Sequence, residues 1–266
     1  MFTGFDFQTN QKFREHKIEA EKLFKQHKAQ IKRQLDEFLL PDGKSLNGTE
    51  MQENWFPGVD ANIFISHSHQ NEDLAIGFAG YLNHHFGLEC FIDSCVWGYA
   101  NDLLKEIDNE YCKNKGEYTY DYNLRNYSTS HVHMMLANAL TQMIDQTECI
   151  IFLKTPESIS TADVIKNQTR SPWIYHEIAM TQLVRRKSRS EHRDKIIKKS
   201  LKMAKIFTED KVLNIDYKLD LSHLHELNDG DLTRWEVGRQ NNCFEYLDRL
   251  YKIKGLQFLT ESYKQR

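Results

Sequence analysis

Residues 60–94 read DANIFISHSHQNEDLAIGFAGYLNHHFGLECFIDS, and their pattern decides the architecture. Ala61-Asn62-Ile63-Phe64-Ile65-Ser66 is a short apolar run suited to a strand. Residues 71–86 place Leu74, Phe78 and Leu82 four apart, the spacing of a helix, and residues 88–93 form a second strand. Strand, helix and strand in close succession make a βαβ unit, which demands a parallel pair joined by a right-handed crossover. An open parallel sheet is therefore expected.

Downstream, Cys149-Ile150-Ile151-Phe152-Leu153 is apolar throughout, as befits a central strand buried on both faces. A helix is predicted before it over 134–144, with Leu136, Leu140 and Ile144 four apart. Another follows over 172–184, where Ser171 as N-cap and Pro172 at the first helical position specify the start. The stretch 212–219 alternates Leu213, Ile215, Tyr217 and Leu219 and reads as an outer strand, and 243–253 reads as a helix with Phe244, Leu247 and Tyr251 on one face. Between 107 and 129 the sequence is polar, non-periodic and rich in tyrosine (Tyr111, Tyr118, Tyr120, Tyr122, Tyr127). Such a long connection points to a lid or a partner surface.

Upstream, residues 12–40 carry Phe13, Ala20, Phe24, Ile31, Leu35 and Phe38 at helical steps among charged residues, predicting one long amphipathic helix stopped at Pro41-Asp42-Gly43. Residues 41–60 read as a linker with turn signals at both ends. The expected organisation is thus 1–60 amino-terminal helix and linker, 61–255 α/β domain with an insertion at about 109–130, and 256–266 tail.

The whole chain has 266 residues, 40% apolar and 27% charged, with a formal charge of −3. That charge disfavours a general nucleic-acid binder, which needs a broad excess of Lys and Arg. No stretch approaches the ~18 consecutive apolar residues of a membrane span, and the amino terminus lacks a basic segment followed by an apolar run, so a cytoplasmic protein is expected. Five cysteines without C-x-x-C spacing predict free thiols. His131 and His133, two apart, do not match the four-residue spacing of a helical ligand pair, so no metal site is expected. The basic stretch 185–205 reads as a solvated helix.

In an open parallel sheet, ligands bind where strands end and helices begin. The first strand ends in Ser66-His67-Ser68-His69 followed by Asn71, and the second in Asp93-Ser94-Cys95-Val96-Trp97-Gly98. Hydroxyls, imidazoles and amides suit a phosphate or a ribose, although Ser68 and Asn71 equally suit helix caps. Asp93 reads either as an Asx turn or as a group orienting substrate hydroxyls, and Trp97 beside Gly98 either as a stacking platform or as a cover for the sheet edge. Beyond them Leu103, Leu104, Ile107 and Tyr111 form an expected buried stripe, with Asp102, Glu106 and Glu110 recurring on the opposite side. A carboxylate of that row could stabilise a developing ribosyl cation, or simply line a solvated face.

Three ordered segments carry a family resemblance. Residues 60–94 resemble the start of a TIR (Toll/interleukin-1 receptor) domain, with its F-I-S-x-S-H and F-I-D strand endings; TECIIFLKTPESI from Thr147 resembles its third strand, and SPWIYHEIAMTQL from Ser171 its W-x-x-x-E helix. The resemblance implies a flavodoxin-like α/β fold, here with an added amino-terminal helix and carboxy-terminal helical elements. It implies either an enzyme cleaving the nicotinamide N-glycosidic bond of NAD, in bacterial antiphage signalling, or a self-associating adaptor with protein partners. NAD or a related nucleotide would be a substrate, and no cofactor is called for. The implied pocket comprises Ser66, His67, Ser68, Asp93, Trp97 and Gly98, with Trp173 and Glu177 as scaffold. The family's catalytic glutamate falls at Asn101 or Asp102 when counted forward from Gly98 and near Met135 or Leu136 when counted back from the third strand, with the insertion between the two. Glu106 is the first choice for the catalytic carboxylate and Asp102 the second.

Overall fold

The computed structural model describes residues 1–28, 35–42, 45–92, 94–114, 116, 118–156, 158, 168–169, 171–193, 217–218 and 220–256. In chain order the elements are strand β1 (Thr3–Gln8), helices α1 (Arg14–Lys28) and α2 (Gly48–Trp55), β2 (Ile63–Ser66), α3 (Glu72–Phe86), β3 (Cys90–Ile92), α4 (Ser94–Ile107) and α5 (Tyr122–Gln146). They continue with β4 (Cys149–Leu153), β5 (Gln168–Thr169), α6 (Pro172–Leu183), α7 (Arg189–Arg193), β6 (Tyr217–Lys218), β7 (His225–Asn228), α8 (Asp229–Glu236) and α9 (Cys243–Ile253).

Five strands form one wholly parallel sheet in the order β3-β2-β4-β1-β7, with helices on both faces. This is the open parallel sheet expected from the βαβ unit, in a flavodoxin-like arrangement. Counted from β2 the order is second, first, third, with β7 last, and the remaining interior place belongs to β1 from the amino terminus. The first 60 residues, read from the sequence as helix and linker, thus supply an interior strand of the sheet. The period-two pattern is present, Phe5 and Phe7 being buried on one face, but Gly4 and Asp6 are poor strand formers that mask it. Gly4 is required by close packing: a β-carbon there would stand 2.7 Å from Leu224 Cδ2 and 2.8 Å from Ile150 Cγ2.

Alternation along β4 shows why its run is apolar throughout. Cys149, Ile151 and Leu153 enter the core beneath α1, α3, α8 and α9; Ile150 enters the opposite core beneath α2, α4 and α5; Phe152 packs with Ile174 and Ile178 of α6. Burying a side chain of this size contributes roughly 1.5–3 kcal/mol, so each face of the strand is strongly committed.

Four further expectations change. Of the predicted helix over 12–40, Arg14–Lys28 is helical and Leu35–Phe38 forms a 3-10 turn, residues 29–34 lying outside the described residues. Inside the supposed linker lies α2, capped by Asn47, whose side chain accepts from the Glu50 N–H at 3.2 Å and whose buried Met51 and Trp55 fix it to the second core. The predicted helix over 134–144 is the end of the 25-residue α5, about 37 Å long, which begins inside the supposed irregular insertion because Asp121 caps it. Of the predicted outer strand only Tyr217–Lys218 is described, pairing antiparallel with β5 outside the main sheet, while the last strand of the sheet is β7. The predicted start of α6 holds, Ser171 Oγ accepting from the Ile174 N–H at 3.2 Å.

Within the described part of the basic stretch, four of the cations pair with carboxylates, among them Lys187 with Asp145. Arg185 meets Glu191, Arg189 meets Asp248, and Arg193 bridges Glu148 and Asp248. Cys90, Cys112, Cys149 and Cys243 are free, and burial pushes their thiols upward.

Beside this network His192 is buried with Nδ1 2.9 Å from the Gln146 carbonyl. Burial, the terminal ammonium of Met1 and Lys187 push its pKa from 6.5 down to about 4. The folded state therefore resists protonating it, so the contribution to stability is complete above pH 6.5 and is lost as pH falls toward 4. The thermal midpoint should drop across that interval, and His192→Gln should make the drop shallower. An equally steep profile in the variant would remove His192 from the account.

Candidate functional site

The chain leaves β2 through α3 on one face of the sheet and leaves β4 toward α6 on the other. Adjacent parallel strands whose following helices diverge open a crevice at their carboxyl ends, where α/β sheets take ligands. Ser66, the last residue of β2, pairs in register with Phe152 at this point.

A polar group lies there in an otherwise apolar surround. Ser66 Oγ donates to Glu177 Oε2 of α6 at 2.6 Å, and both residues are 0% exposed. His67 is buried beside them in the chain. Asn71 Nδ2 donates to Thr155 Oγ1 at 2.8 Å, tying the loop after β2 to the loop after β4. Thr155 is held in a tight turn, its N–H donating to Ser158 Oγ at 2.8 Å and its Oγ1 accepting from the Ser158 N–H at 3.1 Å. On the next strand, Asp6 Oδ2 accepts from Lys154 Nζ at 2.9 Å, while Asp6 Oδ1 is buried without a hydrogen-bond partner among the described residues.

Neither Ser68 nor Asn71 makes a side-chain cap bond to the helical turn that follows it. The Asn71 amide is directed to the neighbouring loop instead. Glu177, assigned from the sequence to the scaffold, is the carboxylate that the fold carries to the end of β2. Trp173 is buried and meets His133 edge-on at 5.6 Å and His176 at 6.5 Å. Burial lowers the pKa of both imidazoles, and His176 Nε2 lies 3.2 Å from the Ala137 carbonyl and from Thr141 Oγ1.

The other candidates are placed differently. Asp93 and the side chain of Trp97 lie outside what is described, but the backbone of 94–98, Gly98 included, is already helical, so the loop implied after the second strand is the start of α4. That helix starts two residues beyond the end of β3, and its rise of 1.5 Å per residue puts Asp102 about 12 Å and Glu106 about 18 Å from its start. Glu106 is exposed and Asp102 half-buried. Glu106 thus lies one turn further along α4 than Asp102 and faces solvent. Among the described residues no group of three or more His, Cys, Asp or Glu is placed to hold a metal ion, and no helix is long and apolar enough to cross a membrane.

The partners that the sequence reading missed are Lys154, Thr155 and Asp6. The first two follow the apolar run of β4 directly, so a strand-end rule applied to that strand, as it was to β2, would have found them. Asp6 had no such signal, because the strand that carries it was not recognised. Comparison with protein-family models, with curated proteins and with solved structures finds no match.

Proposed function

We propose that this chain is a TIR-type domain that receives NAD or a related nucleotide at the ends of β2 and β4 and cleaves the nicotinamide N-glycosidic bond, in bacterial antiphage signalling. One observation carries the reading: the divergence of α3 and α6 beside β2 and β4, with Ser66, His67, Asn71 and Thr155 gathered at the strand ends. The resemblance of the segments around Ser66, Leu153 and Trp173 to a TIR domain supports it. In this reading Ser66 and Glu177 position the loop, Asn71 and Thr155 fix the mouth, and Lys154 supplies a cation for the pyrophosphate.

Cleavage leaves positive charge on the ribosyl carbon as nicotinamide departs as a neutral base, so a carboxylate aimed at that carbon accelerates it. Of the two carboxylates proposed on α4, Asp102 is a full turn nearer the strand ends and is half-buried. The assignment accordingly moves from Glu106 to Asp102. Purified protein incubated with NAD should release nicotinamide; Asp102→Asn should slow release about 100-fold or more, while Glu106→Gln should leave it within about twofold. Loss of turnover in the glutamine variant with retention in the asparagine variant would reverse the assignment.

A second reading, a non-enzymatic interaction module, is favoured by the surface of the insertion. Tyr118 is 98% exposed, and Tyr127, His131 and Met134 lie along one exposed face of α5. A gain in mass with a protein partner, without nicotinamide release, would select it.

A further inference from the structure

Helix α4 passes at its carboxyl end into a π turn, Asp108–Cys112. Such turns interrupt regular hydrogen bonding and recur at functional sites. Here the wider turn shifts the helical faces. Asp108 and Cys112 come inside, whereas Tyr111, expected in the buried stripe, is exposed with Glu110.

The buried Asp108 organises an arginine. Its Oδ2 accepts from Arg125 Nε of α5 at 2.8 Å and its Oδ1 from Ser128 Oγ at 2.6 Å, so both carboxylate oxygens are engaged within the chain. The Arg125 guanidinium also lies over the Tyr120 ring, 5.2 Å from its centroid. Tyr120 is in turn held by its hydroxyl, which donates to Asn109 Oδ1 at 2.6 Å, and by a backbone bridge to Lys113. Arg125 is therefore fixed at Nε and across one face, and its terminal amino groups make no hydrogen bond among the described residues.

A cleft of about 150 Å³ opens against this arginine, lined by Asn101, Leu104 and Lys105 of α4 together with Asp108, Tyr120 and Arg125. One water needs only about 10–15 Å³ by this measure, so a phosphate-sized group has room. Lys105 is exposed and forms no ion pair with a described carboxylate. The cleft thus holds two cations and one carboxylate whose oxygens are already used. A metal cation would find no free carboxylate oxygen on Asp108, and an apolar ligand would strand the charges.

The geometry points to a binding site for a phosphoryl group in this cleft, with Arg125 as a pre-oriented fork, Lys105 as a point charge and the Asn101 amide as a further donor. Arg suits this role because its planar donors match phosphate oxygens in pairs, whereas Lys acts through charge alone. Residues of the insertion, Tyr120 and Arg125, build the site against α4, near the end of the helix away from the strand ends. Its donors Asn101, Lys105 and Arg125 are not among the groups assigned to the crevice between β2 and β4, so phosphate binding here is tested without the function proposed there.

Free phosphate and the phosphate of a nucleotide share this chemistry, and calorimetric titration at constant ionic strength separates them. Inorganic phosphate should bind the full chain saturably, and Lys105→Ala and Arg125→Lys should each weaken binding about tenfold or more. Lys105 is exposed, so its variant keeps the fold even if the arginine variant does not. If AMP competes with phosphate and weakens in parallel in the Lys105 variant, the site accepts a nucleotide's phosphate as well. Absence of saturable phosphate binding, or binding of phosphate unchanged by Lys105→Ala, would overturn the site. AMP binding that neither variant affects, with no phosphate binding, would also overturn it and place the nucleotide elsewhere.

Discussion

Gly80→Ala is expected to lower the thermal midpoint by about 5 °C or more, although alanine is ordinarily the better helix former by about 1 kcal/mol. The reason is the approach of α1 to α3. A β-carbon at Gly80 would stand 2.3 Å from the His16 carbonyl oxygen, and one at Gly77 2.8 Å from the Phe13 carbonyl oxygen. These are backbone atoms at the start of α1, so no rotamer change relieves the clash and the helices must separate. Overpacking of this kind typically costs about 1–3 kcal/mol and here exceeds the gain in helix propensity. Separation would also disturb Phe13 and His16, which pack against Tyr81 at 5.0 and 5.7 Å between ring centroids. Denaturation of the purified variant tests this, and an unchanged or raised midpoint would mean that α1 does not rest on α3 at this distance.

The second large effect concerns Glu177. Removing its carboxylate with Glu177→Ala should cost about 3 kcal/mol, since it leaves a cavity and strands the buried Ser66 hydroxyl. Glu177→Gln keeps an acceptor for Ser66 and should cost less. Combining Glu177→Ala with Ser66→Ala should recover part of the loss, with a coupling of about 1–2 kcal/mol in denaturant unfolding. Strict additivity of the two single changes would show that the hydroxyl and the carboxylate do not depend on each other. If the strand ends receive the nucleotide, Ser66→Ala should also weaken its binding, separating a role at the site from one in stability alone.

Glu177 also marks the limit of reading by motif. The spacing of Trp173 and Glu177 correctly indicated one helix, capped by Ser171, and a buried tryptophan. That the carboxylate ends on Ser66, 111 positions earlier in the chain, follows only from packing α6 across β2 and β4. Conversely, Asp102 and Glu106 share α4 as their spacing suggested, whereas Glu110 falls in the π turn, and the place of the row along the helix depended on where α4 begins. The resemblance implies a loop over 93–98, whereas the backbone is helical from Ser94. Glu106 was thereby carried down the helix.

What the sequence by itself determined is local. The short apolar run around Ile63, the apolar run of Cys149–Leu153 and the capped start of α6 each specify an element, because side-chain direction and helix capping follow directly from backbone geometry. What the tertiary structure decided is adjacency. It set β1 between β4 and β7, drew Asn71 to Thr155, and turned Asp108 inward through the π turn to hold Arg125. A period tells a residue which way to face but not which distant residue will meet it, since that partner is selected by the packing of whole faces and the satisfaction of buried polar groups.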